Sequence, residues 1–293
     1  MWSQIFQIVL AGIAIGCVYA LIALGFVLIY KATEVVNFAQ GAAMAVGAFI
    51  ALTFVDYVGL PYWLAIIAAI AIMAAIGGGV ERLVIRPVLG QPQFSIVMVT
   101  IGLVFFARGF ISFLPAWGTQ TYSLPTPVSG ITLHLGSAAI SANYLAVILV
   151  TIILFLVLYL FFRYTRVGIA MQAISQSQIA AYYMGIPVGR INTLIWCISA
   201  GVATIAGVLL APITFVHAHM GLIALKAFPA AVLGGFGSIP GAIIGALIIG
   251  LVEAFAGRYL PDGWSDVAAY VVLLIVLVVK PTGLFGEQLT KKV

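Results

Sequence analysis

NYLAVILVTIILFLVLYLFFRYTRVGIAMQAISQSQIAAYYMGIPVGR, residues 143–190, divides at Arg163 into two unlike halves. Residues 143–162 carry no charge and are long enough to cross the hydrocarbon core of a bilayer, which takes about 20 apolar residues in a helix. Residues 163–190 are too apolar for an ordinary polar loop and too polar for a second span. Arginines stand at both ends of that stretch, and Gln172, Gln176 and Gln178 lie inside it. Gly185 followed by Pro187 is a helix stop, because glycine takes the left-handed position and proline cannot continue the helix. The pattern predicts a short amphipathic helix held at the cytoplasmic surface of a membrane, where a partner can dock.

The rest of the chain has the character of its first half. Of 293 residues, 65% are hydrophobic and 6% charged, where a soluble domain has about a quarter charged; mean hydropathy is +1.27. No soluble core of this size hides that much apolar surface, so the class is an all-α polytopic membrane protein, its continuous apolar runs fitting helices and not a barrel. The opening residues show neither a basic leader nor a small-residue cleavage pattern and read as a retained span. Cys17 and Cys197 fall inside apolar runs, so no disulfide is expected. The net charge of +5 comes mostly from basic residues at span ends, which reports orientation in a membrane and not nucleic-acid binding.

Charges punctuate about eight apolar runs of span length, near 5–30, 35–55, 61–81, 94–114, 143–162, 191–214, 239–257 and 265–280. The stretch from Pro115 to Asn143 has no acidic or basic residue and is expected outside; Arg82, Arg86, Arg163, Arg166 and Arg190 are expected in the cytoplasm. These runs alone would leave Lys280, Lys291 and Lys292 outside, against the rule that basic loops stay inside. The expected remedy is that KAFPAAVLGGFG, 226–237, enters the membrane as a re-entrant half-helix or crosses it as part of a broken span, placing the N-terminus outside and the C-terminus inside. Interrupted backbone at that depth is tolerated only where protein buries it or where it lines a water-filled cavity. Residues 1–293 are expected to form a single transmembrane domain, with 163–190 as a cytoplasmic loop within it.

The chain has no GxxxxGK[ST] phosphate loop, no HExxH, no CxxC pair and no GxSxG elbow, so no catalytic residue and no metal site are assigned. His217 and His219 would point about 200° apart on a helix and read as an interfacial loop. Arg108 and Glu253 lie well inside apolar runs, Arg108 expected toward the outside and Glu253 near the inner end, each snorkelling to its interface or meeting polar groups of another subunit. Gly237, Gly241 and Gly245 recur every four residues, as do Gly12 and Gly16, and are expected to pack helix on helix. NFAQG, 37–41, places two amide side chains in an apolar run, where they need partners or meet a passing polar solute. Asn37, Phe38, Gln40 and Gly41, with Phe228, Gly234 and Gly235, are therefore the candidate pathway residues.

IAAYYMG, 179–185, has the spacing of the cytoplasmic coupling loop of ABC importer permeases: one residue, two alanines, three variable positions, then glycine. Ile179 stands where that motif carries an acid, and the motif's later Leu-Pro is missing. The likeness extends further. YALIALG at 19–25, NFAQG at 37–41, ERLVIRPV at 81–88, YTRVGIAMQA at 164–173, MGIP at 184–187, KAFPAAVLGGFGSIPGA at 226–242 and KPTGLFG at 280–286 together make the chain resemble the permease of high-affinity branched-chain amino acid ABC importers, of the LivH type. The family commonly has His where this chain has Gln40, and Arg near Gln172.

The resemblance implies a subunit of the bacterial plasma (inner) membrane that pairs with a related second permease, two cytoplasmic ABC ATPases and an extracytoplasmic solute-binding protein. It implies import of branched-chain or other hydrophobic amino acids, with urea or short amides as the alternative solutes; a self-sufficient channel or ion-coupled carrier is the reading from another class. No cofactor is expected on this chain, ATP and Mg being used by the partner ATPases. Gln178, Ile179, Ala180, Ala181, Tyr182, Tyr183, Met184 and Gly185 would form the helix that sits in a groove of an ATPase and carries its closure into the membrane.

Overall fold

The computed structural model describes residues 2–135 and 138–286; Lys291 and Lys292, invoked above for orientation, lie outside them. The chain folds as α1 Trp2–Thr33, α2 Gln40–Asp56, α3 Tyr62–Val80 and α4 Gln93–Phe113, then a hairpin of β1 Thr132–Leu135 and β2 Ala138–Ser141. There follow α5 Ala142–Tyr164, α6 Arg166–Gln176, α7 Gln178–Tyr183, α8 Val188–Thr214, α9 Ala224–Gly234, α10 Ile239–Tyr259 and α11 Trp264–Val279. A π turn, Glu81–Ile85, and a 3-10 turn, Arg86–Val88, extend α3, and a 3-10 turn, Met220–Ile223, leads into α9. The hairpin, with Thr132 opposite Ser141, departs from the all-helical expectation within the loop after α4.

Six helices of the described chain are long and apolar enough to cross a membrane: α1, α3 with its extension, α4, α5, α8 and α10. Those correspond to six of the eight expected spans. α2 and α11 occupy the other two places but, at 17 and 16 residues, rise only about 25 Å, short of a full bilayer core.

α1 is apolar on every side and lies at the centre, in contact with α10, α8, α9 and α5, as a helix with no polar face must. Phe26, Leu21, Ile22, Leu24 and Ile29 are fully buried there, and Phe49, Met44 and Leu52 of α2 belong to the same buried core. α4 and α5 are peripheral, exposing Phe105, Phe106, Phe113, Leu149, Ile152 and Leu156, a surface suited to lipid tails and not to water.

Small residues bring the central helices together. Gly12 faces Leu251 and Ala254 while Gly16 faces Ala246 and Leu247, so α1 and α10 run antiparallel; a Cβ at Gly250 would stand 2.4 Å from the Gly16 nitrogen. Gly241 and Gly245 pack instead on α9, where their added Cβ atoms would lie 2.3 Å from the carbonyl oxygens of Gly234 and Ala230. Both contacts are inside the subunit. Gly237 corrects the expectation of one continuous glycine face: it lies in the turn before α10, with nothing within 4 Å of its added Cβ.

The ends of the bundle are told apart by contacts. At one end, Tyr30 of α1 packs on Phe236 with ring centroids 4.9 Å apart, and Leu284 and Phe285 donate backbone N–H groups to Leu233 and Gly234 at 2.8 and 3.2 Å. This end, which also carries α6 and α7, is the basic end. At the other, Gln7 donates to the Ala139 carbonyl at 2.9 Å and Tyr122 bridges to Val216. Residues 216–234 run from this hairpin end, where Val216 meets Tyr122, to the basic end, where Leu233 and Gly234 meet Leu284 and Phe285, so Lys280 arrives on the same side as 163–190. The half-helix is buried by protein, with Ala224, Ala227, Pro229, Ala230, Ala231 and Leu233 in the core.

Candidate functional site

At the basic end, the segment read as one amphipathic helix is two. Thr165 caps α6, its Oγ1 accepting from the Gly168 N–H at 3.0 Å, and Ser177 breaks the helix and caps α7, accepting from Ala180 at 3.2 Å. Side-chain oxygens satisfy N–H groups that a helix start leaves free. α7 ends at Tyr183; Gly185, at φ +81°, accommodates the left-handed turn after it, which a residue with a Cβ adopts only under strain.

Of the eight residues expected here, Ala181 is 4% exposed and packs inward, whereas Tyr183 and Met184 are 81% and 82% exposed. Ile179 and Tyr182 are also bare, and Gln178, Ala180 and Gly185 lie on the exposed side. The Gln178 side-chain amide donates to the Ala32 carbonyl at the end of α1. Of the two alanines, Ala181 is taken up by the fold itself and Ala180 is left on the exposed side.

The pathway candidates from the two halves of the chain come together. Phe38 stands 5.5 Å from Phe228 between ring centroids, Phe228 5.7 Å from Phe236, and Phe26 meets Phe228 edge-on at 6.1 Å. Gly41 lies against Gly221, where an added Cβ would be 2.2 Å from the carbonyl oxygen. Gln40 is bonded at both atoms of its amide: its Nε2 donates to Ser199 O at 3.2 Å, and Ser199 Oγ donates to its Oε1 at 2.9 Å. Asn37 Oδ1 accepts from Ala39 at 3.1 Å. Both amides border a cavity of about 230 Å³ walled mostly by apolar side chains, among them Ile29, Leu103, Phe110 and Trp196. Gly234 and Gly235 differ from the pathway assignment: Gly235 has φ +95° and its added Cβ would be 2.7 Å from Gly286 N, so these residues serve the turn that seats 280–286.

The charges make two arrangements that sequence patterns did not suggest. Lys226 Nζ lies 2.6 Å from both Glu253 Oε1 and Asp266 Oδ1, and Tyr19 donates to Glu253 Oε2 at 2.6 Å. Glu253, expected at the end that carries the basic loops, thus sits toward the opposite, hairpin end and is paired instead of snorkelling: residues 216–234 bring the chain back to the basic end before α10, which reverses that helix. The signal was available in the scarcity of charge, since an isolated lysine between two isolated acids in adjacent apolar helices has few other partners. Arg108 meets His219. His217, in the loop beside it, is held below the ordinary histidine value by burial and then by His219.

The second arrangement lies at the basic end. Glu81, 1% exposed, accepts from Arg86 Nη2 at 2.7 Å and from Arg86 Nε at 3.1 Å. Thr193 Oγ1 donates to Glu81 Oε2 at 2.8 Å. Among the described residues no three His, Cys, Asp or Glu side chains gather closely enough to hold a metal ion, and Cys17 and Cys197 are free.

The family model of the branched-chain amino acid transport system permease component matches residues 8–277. The high-affinity branched-chain amino acid transport system permease protein LivH of Escherichia coli K12 is 34% identical over 96% of both chains, and BraD of Pseudomonas aeruginosa, described in the same terms, is 32% identical over the same shares. Among solved structures, PsaBC of Streptococcus pneumoniae in complex with Fab shares the fold, with a TM-score of 0.51 and 17% identity over 96% of this chain and 97% of that one. By a match that runs nearly end to end, this chain belongs to the branched-chain amino acid transport permease family.

Proposed function

We propose that the chain is the membrane-translocating subunit of an ATP-driven ABC importer for branched-chain or other hydrophobic amino acids, and that α7 is the helix by which an ATPase moves it. The observation that carries this is the bareness of α7: Ile179, Tyr182, Tyr183 and Met184 are large apolar side chains exposed at the one end of the bundle where arginines and lysines gather. That end would face water, not lipid, so the patch is suited to burial in a partner. The basic end is then cytoplasmic, the hairpin end external, and Met220–Gly234 counts as a ninth crossing, with the N-terminus outside and the C-terminus inside.

The chain binds no cofactor in this reading; two ATPase subunits hold ATP and Mg, a related second permease completes the pathway, and an extracytoplasmic binding protein delivers the solute. The amino-acid class rests on what the relatives are named for. A pathway wall of apolar and amide groups without free charge suits a carrier whose selectivity lies in the binding protein. Cysteine placed at Tyr183 tests the docking claim: it is expected to cross-link to an ATPase subunit in the assembled complex. Labelling by a water-soluble maleimide that is unchanged when the ATPases are present would contradict it.

A further inference from the structure

The ion pair at Glu81 has no role in the function just proposed, yet its geometry is specialised. Five residues along an α-helix bring a side chain round by about 140° relative to the first, so Glu81 and Arg86 would face apart. Here the chain adopts a π turn over Glu81–Ile85, with the Arg86 N–H bonded to the Glu81 carbonyl, and the two side chains meet as a two-pronged fork. Isolated π turns concentrate at functional sites. Burying a carboxylate in this way is no route to stability by itself, since a well-packed apolar pair of the same volume is commonly as stable.

The fork also reaches across to another helix. Arg86 Nη2 lies 2.8 Å from the carbonyl oxygen of Gly189 and 2.6 Å from Thr193 Oγ1, both in the first turns of α8. That is the helix entered directly from α7 by way of Gly185 and Pro187; Ile186 is in turn bonded to Ala181 through its N–H at 3.0 Å. Below the fork α3 and α8 touch through backbone, an added Cβ at Gly77 lying 2.8 Å from the Trp196 carbonyl oxygen. The fork therefore closes one end of a rigid pair whose far side carries Ser199, the partner of Gln40.

We infer that Arg86, oriented by Glu81, is a positioning residue for coupling: it fixes the corner between α7 and α8 to the end of α3, so that displacement of α7 moves α3 and α8 together. This rests on the docking role proposed for α7. Without the fork, α7 still binds its ATPase but its displacement is absorbed at the corner, and ATP is hydrolysed without transport.

The test uses the full complex of permeases and ATPases in proteoliposomes with its binding protein, reading leucine taken up per ATP hydrolysed. Glu81→Gln and the apolar pair Glu81→Leu/Arg86→Leu are expected to keep ATPase subunits bound and thermal midpoint unchanged, yet to lose about tenfold in that ratio, within the span of ordinary coupling energies; Arg86→Gln, which leaves the buried Glu81 carboxylate without its cation, is expected to lower the midpoint as well. Arg86→Lys keeps the charge without the fork and is expected to recover only part of the loss. A normal ratio in the Leu/Leu pair, or loss of assembly or of thermal midpoint in all these variants, overturns the positioning role. Met184→Glu serves as the control: if it too transports normally, the docking reading itself fails, whereas a dead Met184→Glu beside a fully coupled Leu/Leu pair removes only the role given to Arg86.

Discussion

The side-chain amide of Gln178 is bonded to the main-chain carbonyl of Ala32, so the exposed helix at the basic end is tied to the last turn of the helix most deeply buried in the bundle. In the coupling proposed above, a displacement of α7 would reach α1 through this bond and α8 through the corner at Pro187. The half-helix α9 is held in the same frame, bonded at its end by Leu284 and Phe285 and packed on α1 through Phe26 and Phe228.

Ala181 and Met184 separate folding from docking. Ala181→Glu places a carboxylate where only 4% of the residue is exposed, and an unpaired buried charge of this kind costs several kcal/mol. Reduced yield and a lowered thermal midpoint of the permease alone are expected, measured in detergent before any partner is added. Met184→Glu, on a bare side chain, should leave both unchanged.

Lys226 balances two acids. Lys226→Met leaves Glu253 largely buried beside Tyr19 with no cation, and about 2 kcal/mol of stability should be lost, discounted for the partial exposure of the trio. Lys226→Met combined with Glu253→Gln should recover most of it. A double-mutant cycle by thermal unfolding measures the coupling; strict additivity would show that the contact is not an ion pair that matters.

The α1–α10 crossing depends on the missing side chain of Gly250. Gly250→Leu drives a branched side chain into the Gly12 and Gly16 backbone, 2.4–2.5 Å from an added Cβ, and overpacking of this kind costs about 1–3 kcal/mol or more. Gly237→Leu, in an open turn, should be near neutral in the same unfolding measurement.

Sidedness is read by cysteine labelling in intact cells. Phe285→Cys, half exposed beside the end of α9, should be shielded from an impermeant maleimide until the membrane is opened; Thr126→Cys, in the loop after α4, should label at once. The reverse pattern would refute the assignment of the basic end to the cytoplasm.

The long helices, the break at 163–190 and the detour at 226–237 were legible because lipid and water impose strong, one-dimensional rules on composition. The direction of Ala181 was not, since the motif spacing treats both alanines alike and only packing against the neighbouring helices distinguishes them. Gly237 failed for a similar reason: a repeat of four implies one face only if the helix has already begun, and Ser238 starts it one residue later. Glu253 was placed at the wrong end because counting spans without the short one reverses every helix after it. The Glu81–Arg86 fork was invisible to periodicity, as a π turn brings together residues that the helical repeat holds apart.

Transport by the assembled complex carrying Met184→Glu tests docking at α7 most directly. Leucine uptake should fall to background and binding-protein stimulation of ATP hydrolysis should vanish, while the permease inserts and unfolds as the unaltered protein does. Uptake at the unaltered rate, with the ATPases still stimulated, would contradict the proposal that α7 is where the ATPase engages this chain.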